Sequence, residues 1–201
     1  MEFSDGLARI ILVVGFMAFA PVGIYFRVHS FTDERLNRLQ EGWLILLSLR
    51  LLALAFLAGL VAFVVAPRSM AWASIHLPNW ARWLGVAFGA AAGGLMIWTF
   101  RSLGHNLTDT VVTRRDATLI THGPYRWVRH PFYLAFAMAV IANTLITANA
   151  YLAITGTATF LVIVARTSIE EQKLIERFGR DYQDYMRRTG RFLPRIRLKD
   201  S

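Results

Sequence analysis

The 201-residue chain is 55% hydrophobic and 17% charged, and its formal net charge is +9. Soluble domains carry about 25% charged residues, so this composition favours a membrane protein, whose basic excess we expect to meet anionic lipid rather than nucleic acid. The chain has no cysteine, which excludes disulfides, thiolate chemistry and cysteine-based zinc sites.

Five apolar stretches predict membrane-spanning helices, because a span takes about 20 residues. They cover residues 7–26, 43–66, 83–100, 132–146 and 151–165. The fourth stretch is short, and only a few residues separate it from the fifth, so these two predict an antiparallel helical hairpin. The predicted fold is an all-α, polytopic membrane helix bundle of about five transmembrane helices with an amphipathic cytosolic helix at the C-terminus.

Glycines recur along the third stretch, at Gly85, Gly89, Gly93 and Gly94. Small residues let neighbouring helices approach closely in membranes, so helix packing is the interpretation we prefer. A phosphate-binding loop is excluded, because both the strand context and the G-x-G-x-x-G spacing are missing.

The placement of arginine and lysine predicts the orientation of the chain in the membrane. With five spans, one side holds residues 27–42, residues 101–131 and the tail from Arg166, and it carries nearly all the loop cations. We therefore expect a multi-pass integral membrane protein with its N-terminus outside and its C-terminus in the cytoplasm. The acidic N-terminus runs straight into a full-length apolar stretch, which is not the pattern of a cleavable signal peptide.

A polar, rigid and aromatic segment precedes the fourth stretch, and residues 122–133 read HGPYRWVRHPFY. Gly123 and Pro124 favour a tight turn, and Pro131 lies where a helix would begin. The N-terminus of a helix offers unpaired N–H groups and partial positive charge, which suit an anionic ligand. The alternative is a basic juxtamembrane loop that contacts only lipid headgroups.

A second charged group follows the fifth stretch. It consists of Arg166, Glu170 and Glu171. Arg166 and Glu170 are one helical turn apart, so a simple i,i+4 ion pair is one interpretation. The predicted hairpin also places this group beside the start of the fourth stretch. We therefore expect both groups to form one site at the membrane–cytosol boundary, where charged side chains are candidates for function.

Three blocks now carry a specific resemblance. They are LITHGPYRWVRHPFY at residues 119–133, EEQKLIERFGRDYQDY at residues 170–185 and RFLP at residues 191–194. In this order they resemble the isoprenylcysteine carboxyl methyltransferase family, and membrane phospholipid N-methyltransferases share the pattern. The resemblance covers about half of the chain, from roughly residue 103 to residue 194. It divides a single integral membrane domain, 1–201, into three N-terminal spans (1–100), a methyltransferase-like motif region with the hairpin (101–194) and a basic tail (195–201).

The resemblance implies an integral membrane methyltransferase that uses S-adenosylmethionine and acts on a lipophilic acceptor. It carries over a cofactor-binding set of ten residues: His122, Gly123, Pro124, Tyr125, Arg129, His130, Pro131, Tyr133, Glu170 and Glu171. Arg166 matches a family position associated with catalysis, and Glu170, like His130, could serve as a base for an amine acceptor. We therefore take Arg166 and Glu170 as the candidate catalytic residues. One departure is Ala135, where many relatives have glycine.

The chemistry of the residues agrees with this implication. Arg129 and the helix N-terminus could bind the carboxylate of S-adenosylmethionine, and a glutamate could bind its ammonium. The rings of Tyr125, Tyr133 or Trp127 could face the sulfonium or the adenine. We expect no metal, because the five histidines lack a convincing ligand spacing.

The expected partners are a lipophilic small-molecule or lipidated substrate and membrane lipids, and the acceptor is hypothesised to enter sideways from the bilayer. An isoprenylcysteine-type carboxylate, a phospholipid amine, a small thiol and an isoprenoid acid all remain open, because specificity depends on the shape of the site. Two alternative functions also remain: an NADPH-dependent membrane reductase of the sterol-reductase type, and a non-catalytic lipid-binding membrane protein.

Overall fold

The computed structural model describes residues 2–29, 43–104 and 118–195, and the regular structure in these ranges is helical. Six α-helices follow one another: α1 (Asp5–His29), α2 (Trp43–Val65), α3 (Asn79–Leu103), α4 (Pro131–Thr147), α5 (Ala150–Phe178) and α6 (Arg180–Arg188). Short 3₁₀ helices occupy Pro67–Ala73 and Gly123–Arg126. Most of the first polar link, the middle of the long polar segment and the end of the basic tail lie outside the described residues.

Four of these helices, α1, α2, α3 and α5, are long and apolar enough to cross a membrane. α4 is apolar but has 17 residues, about 25 Å of helix against a hydrocarbon core of about 30 Å. The prediction of a polytopic all-α membrane bundle is confirmed. The short fourth apolar stretch of the sequence corresponds to α4. The chain is a multi-pass membrane protein.

Two of the four glycines in α3 let other helices approach its backbone. A Cβ on Gly85 would lie 2.8 Å from the Leu145 Cβ and 3.1 Å from the Ala142 carbonyl oxygen, both on α4. A Cβ on Gly93 would overlap the ring of Phe19 on α1. A Cβ on Gly94, in contrast, would face open space within the described part of the chain.

α4 and α5 form the predicted hairpin. α4 ends at Thr147, and the chain reverses through Ala148, whose φ of 46° lies in the left-handed region. The Asn149 side chain then caps α5 by accepting the backbone N–H of Leu152 at 3.3 Å. It also donates to the carbonyl of Met70 at 3.0 Å, which fastens the turn to the 3₁₀ helix after α2.

Arg82 connects several segments at the end of the bundle where this turn lies. Arg82 is buried, with a relative exposure of 8%. Its guanidinium donates to the carbonyl of Ile146 at 3.1 and 2.8 Å and to the carbonyl of Phe3 at 2.9 Å. It also pairs with Asp5 at 2.8 Å. One arginine therefore joins the N-terminus, α3 and the carbonyl end of α4, where helix carbonyls lack intrahelical partners.

α5 is longer than a span, since 29 residues make about 43 Å of helix. Its final turns therefore extend beyond the apolar bundle. The chain breaks at Gly179, whose φ is +56°, and α6 folds back so that Tyr182 and Tyr185 are buried. α6 is the predicted amphipathic helix at the C-terminus.

Candidate active site

A shaped loop leads into α4, as predicted. Gly123 has a φ of +61° and opens the 3₁₀ helix, and a Cβ there would overlap the Ser102 side chain at the end of α3. Glycine is thus required both for its backbone angle and for its close approach. His130 is the N-cap of α4 and Pro131 its first residue. These features hold the segment from Trp127 to His130 against the C-terminal end of α3 and the N-terminal end of α4.

Glu171 is the centre of a buried charged cluster, and it is 3% exposed. Arg129 donates from Nε to its Oε1 at 2.9 Å, and the Nε2 of His130 lies 3.2 Å from the same oxygen. Arg191 pairs with Oε2. A buried carboxylate is tolerated only when it is paired and hydrogen-bonded, and here three residues from two other segments meet that need.

Glu170 is the accessible carboxylate beside this cluster, with 26% of its side chain exposed. The Tyr133 hydroxyl donates to its Oε2 at 2.6 Å, and the Nδ1 of His130 lies 3.9 Å from the same oxygen. The rings of His130 and Tyr133 stack in parallel, with centroids 5.3 Å apart. His130 therefore faces both glutamates, one through each ring nitrogen.

The segment 189–195, here termed the C-terminal strap, lies along the loop before α4. The backbone N–H of Arg129 donates to the carbonyl of Gly190 at 2.8 Å, and that of His130 donates to the carbonyl of Arg191 at 3.1 Å. A Cβ on Gly190 would overlap the strap's own backbone. The strap therefore orients the two residues whose side chains reach Glu171.

The guanidinium of Arg129 also fastens α6 to the cluster. It donates from one terminal nitrogen to the carbonyls of Met186 at 3.2 Å and Thr189 at 2.5 Å. These carbonyls belong to the end of α6, where intrahelical donors are missing. α6 ends at Arg188, and Gly190 already belongs to the strap.

Three tyrosines surround the cluster. The Tyr185 hydroxyl donates to the carbonyl of Tyr125 at 2.7 Å, and burial raises the pKa of Tyr185 to about 12. Burial, followed by the charge of Glu170, raises the pKa of Tyr125 well above its usual range. The pKa of Tyr182 is raised by burial and by the charge of Glu171. All three phenols therefore stay protonated at neutral pH.

The structure brings five of the predicted site residues into direct contact: Arg129, His130, Tyr133, Glu170 and Glu171. Pro131 starts the helix below them, and Tyr125 is tied in through Tyr185. Pro124 is buried in the turn.

The other predicted residues lie around this core. His122 is exposed, and within the described ranges the hydrogen bonds of the cluster do not reach it. Arg166 is half-buried one turn before Glu170 on α5. The roles of these residues in binding and catalysis stay predictions.

Sequence reasoning missed Arg191, Tyr182 and Tyr185 as parts of the site. Arg191 is the first residue of the RFLP block, and the two tyrosines stand three residues apart in the block at residues 170–185. All three residues therefore lie within the motifs that carry the resemblance. Tyr185 donates to the carbonyl of Tyr125 across 60 positions, and Arg191 pairs with Glu171 across 20 positions. Contacts at that separation leave no local periodicity that could reveal them.

Fold and contacts together define a class of protein. It is a multi-pass helical membrane protein with a charged cluster at the open end of the α4–α5 hairpin, where α5 extends beyond the apolar bundle. The isoprenylcysteine carboxyl methyltransferase (ICMT) family model matches residues 83–176. Over these residues the chain is similar to the isoprenylcysteine carboxyl methyltransferase family, as the motifs predicted.

Individual relatives are similar over part of their length. The methanethiol S-methyltransferase of Pseudomonas deceptionensis is 37% identical over 82 residues, which cover 41% of this chain and 30% of the relative. The protein-S-isoprenylcysteine O-methyltransferase of Rattus norvegicus is 30% identical over 139 residues, 63% of this chain and 49% of the relative. The matched segments thus span less than half of either relative.

A solved structure shares the fold. The eukaryotic intramembrane Ras methyltransferase ICMT superposes with a TM-score of 0.59 at 21% identity, over 94% of this chain and 68% of that chain. At this identity the likeness establishes the helical membrane architecture, and the activity has to be argued from the site.

Proposed function

We propose that this protein is an integral membrane methyltransferase that uses S-adenosylmethionine to methylate a lipophilic acceptor. The observation that carries the proposal is the meeting of the two motif blocks, in which Tyr133 and His130 from the start of α4 contact Glu170 and Glu171 from α5. The family match over residues 83–176 and the names of the similar proteins support it.

The residues present fit a zwitterionic, sulfonium-bearing cofactor. Glu170 is the partly exposed carboxylate and would bind the ammonium group. Trp127 is half-exposed and packs edge-on against Trp98 with centroids 5.5 Å apart, which offers ring faces to a cation or to adenine. When bound, S-adenosylmethionine supplies an electrophilic methyl group.

Arg129 and Glu171 have a different part in this proposal. Their charges face each other, and the further bonds of Arg129 go to the end of α6. They hold the loop, α5 and α6 in register, so that Glu170 and the aromatic rings keep a fixed geometry. Methyl transfer is an in-line displacement, for which fixed alignment of the two reactants supplies much of the rate enhancement.

Arg166 would hold the acceptor. α5 runs from the apolar bundle towards the charged cluster, so Arg166 lies one turn closer to the lipid than Glu170 does. An acceptor that arrives from the membrane with an anionic head group would meet this guanidinium first. A carboxylate acceptor of this kind needs no base at neutral pH, whereas an amine would require one, with Glu170 or His130 nearest.

A row of aromatic rings supports sideways entry of the acceptor from the bilayer. Phe26 on α1 lies 5.6 Å from Phe100 on α3, and Phe100 lies 6.1 Å from Phe132 on α4, measured between ring centroids. Phe132 in turn lies 5.7 Å from Tyr133, the partner of Glu170. An apolar tail lying along this row would bring its head group to the cluster.

We further propose that the cluster faces the cytoplasm and that the turn at Arg82 faces outside, because the loop cations concentrate at the cluster end. The natural chain has no cysteine, so single substitutions can be labelled cleanly. In intact cells, a membrane-impermeant maleimide should label Trp72→Cys. It should label Arg187→Cys only after permeabilisation, and the reverse pattern would contradict the orientation.

The methyltransferase proposal is tested by label transfer. Membranes containing the protein are incubated with methyl-labelled S-adenosylmethionine, and labelled products are separated by chromatography and identified by mass spectrometry. The proposal expects a labelled lipophilic product that is missing from membranes without the protein. Label that stays entirely in the cofactor, with prenylated peptides, phospholipid and small thiols all supplied, would contradict it.

A further inference from the structure

The Tyr182 hydroxyl is a buried polar group that lacks a hydrogen-bond partner within the described part of the chain. The side chain is 2% exposed and is among the largest fully buried ones. Buried hydroxyls in native proteins are nearly always bonded, and one left without a partner calls for an explanation. Tyr185, three residues further on, shows the ordinary arrangement, since its hydroxyl donates to a backbone carbonyl.

Tyr182 lies on the face of α6 that packs against the charged cluster. Its ring centroid is 5.8 Å from that of Tyr185, and Met186, one turn further, gives its carbonyl to Arg129. The charges of Glu171 and Arg129 both act on its hydroxyl. The unpartnered group therefore belongs to the site and not to the apolar core.

The chemistry of the cluster indicates what the missing partner is. The phenol is protonated, so it is a ready donor and its best partner is an acceptor. The two oxygens of Glu171 already serve Arg129, His130 and Arg191, and an oxygen of Glu170 accepts from Tyr133. A carboxylate supplied by a ligand would meet the need, and the positive charges of Arg129 and Arg191, which both act on Tyr182, would favour it.

We infer that the Tyr182 hydroxyl is a ligand of the amino-acid end of S-adenosylmethionine and donates a hydrogen bond to its carboxylate. This inference rests on the proposed function. It adds to the site a residue of α6, so that the cofactor would be held between the hairpin and the C-terminal helix.

The test is the isosteric substitution Tyr182→Phe, with two readouts on the purified protein in nanodiscs. Calorimetry measures the Kd for S-adenosylmethionine, and thermal unfolding is followed without ligand. We expect the Kd to rise about 10-fold or more, as for a bond to a charged group. The melting temperature of the ligand-free variant should be equal or higher, because the substitution removes a buried hydroxyl that had no partner.

Tyr151→Phe is the matched control. The Tyr151 hydroxyl donates to the Ala55 carbonyl at 3.0 Å near the start of α5, away from the cluster. Its removal should lower the melting temperature and leave the Kd unchanged.

The outcomes separate the two proposals. If the wild type binds and Tyr182→Phe binds within 2-fold of it, the inference is overturned and the proposed function stands. A clear fall in melting temperature for Tyr182→Phe would also overturn it, because the hydroxyl would then have a structural partner. If the wild type itself shows no binding, the proposed function fails, and the inference that rests on it fails as well.

Discussion

The Tyr133 hydroxyl donates a 2.6 Å hydrogen bond to Glu170 across 37 positions of the chain. Tyr133 is on the first turn of α4, and Glu170 is on the part of α5 that extends beyond the apolar bundle. The bond therefore joins the end of the loop motif to the start of the tail motif. It leaves a partly exposed carboxylate, Glu170, beside a buried and paired one, Glu171, and for this reason we propose a ligand-binding role for Glu170 and a structural role for Glu171.

Glu170→Gln should reduce methyl transfer far more than stability. Glutamine keeps an oxygen that can accept from Tyr133 but removes the charge proposed to bind the ammonium group. We expect kcat/KM to fall about 100-fold or more, while the free energy of unfolding changes by about 1 kcal/mol or less. Rate assays and thermal unfolding measure the two effects, and near-normal activity would remove Glu170 from the site.

Glu171→Gln should instead destabilise the fold. The substitution leaves Arg129, and with it Arg191, without a compensating buried anion. Breaking such a buried network costs about 3–5 kcal/mol. The matched control is Glu176→Gln, because Glu176 is 70% exposed and pairs with Lys173 at 4.0 Å, so its loss should cost less than about 0.5 kcal/mol. Equal melting temperatures for the two variants would contradict the structural role of Glu171.

The sequence predicted the hairpin and the meeting of its charged ends, because apolar stretch lengths and a short turn determine which helix ends are neighbours. It also predicted Gly123 and Pro131 as the shape of the loop, since those residues restrict or permit particular backbone angles. These features depend on the conformational preferences of neighbouring residues, and such preferences can be read from a single sequence.

The long-range contacts of Arg129 and of the C-terminal strap could not be predicted from the sequence. The donors of Arg129 reach Glu171 and two carbonyls at the end of α6. Those carbonyls are backbone groups that every residue has, so no residue type in the sequence indicates that Arg129 will contact them. The position of Arg191 over Glu171 likewise depends on how α6 folds back after Gly179.

Gly85→Ala should loosen the contact between α3 and α4. Its new Cβ would lie 3.0 Å from the backbone nitrogen of Ile146, and a backbone cannot move aside as a flexible side chain can. We expect a loss of about 1–3 kcal/mol in the free energy of unfolding. Gly94→Ala on the same helix meets open space and should change stability by no more than about 1 kcal/mol. Unfolding in detergent with both variants would check this, and a larger loss at Gly94 would argue against the α3–α4 packing.

Arg82→Ala should destabilise the end of the bundle that lies away from the cluster. It leaves the carbonyls of Phe3 and Ile146 and the carboxylate of Asp5 without their donor, which costs about 2–4 kcal/mol. Arg68→Ala, at an exposed position, is the control and should be nearly neutral. At temperatures where both variants are folded, the affinity for S-adenosylmethionine should equal that of the wild type. An affinity lost only in Arg82→Ala would show that the two ends of the bundle are coupled.

We propose that the methyl donor binds where the start of α4 meets the charged part of α5. Ultraviolet crosslinking of labelled S-adenosylmethionine to the purified protein, followed by mass spectrometry of its peptides, tests this most directly. We expect label in residues 122–133 or 166–195 that excess unlabelled cofactor removes. Competed label confined to residues 43–104, or no competed label at all, would contradict it.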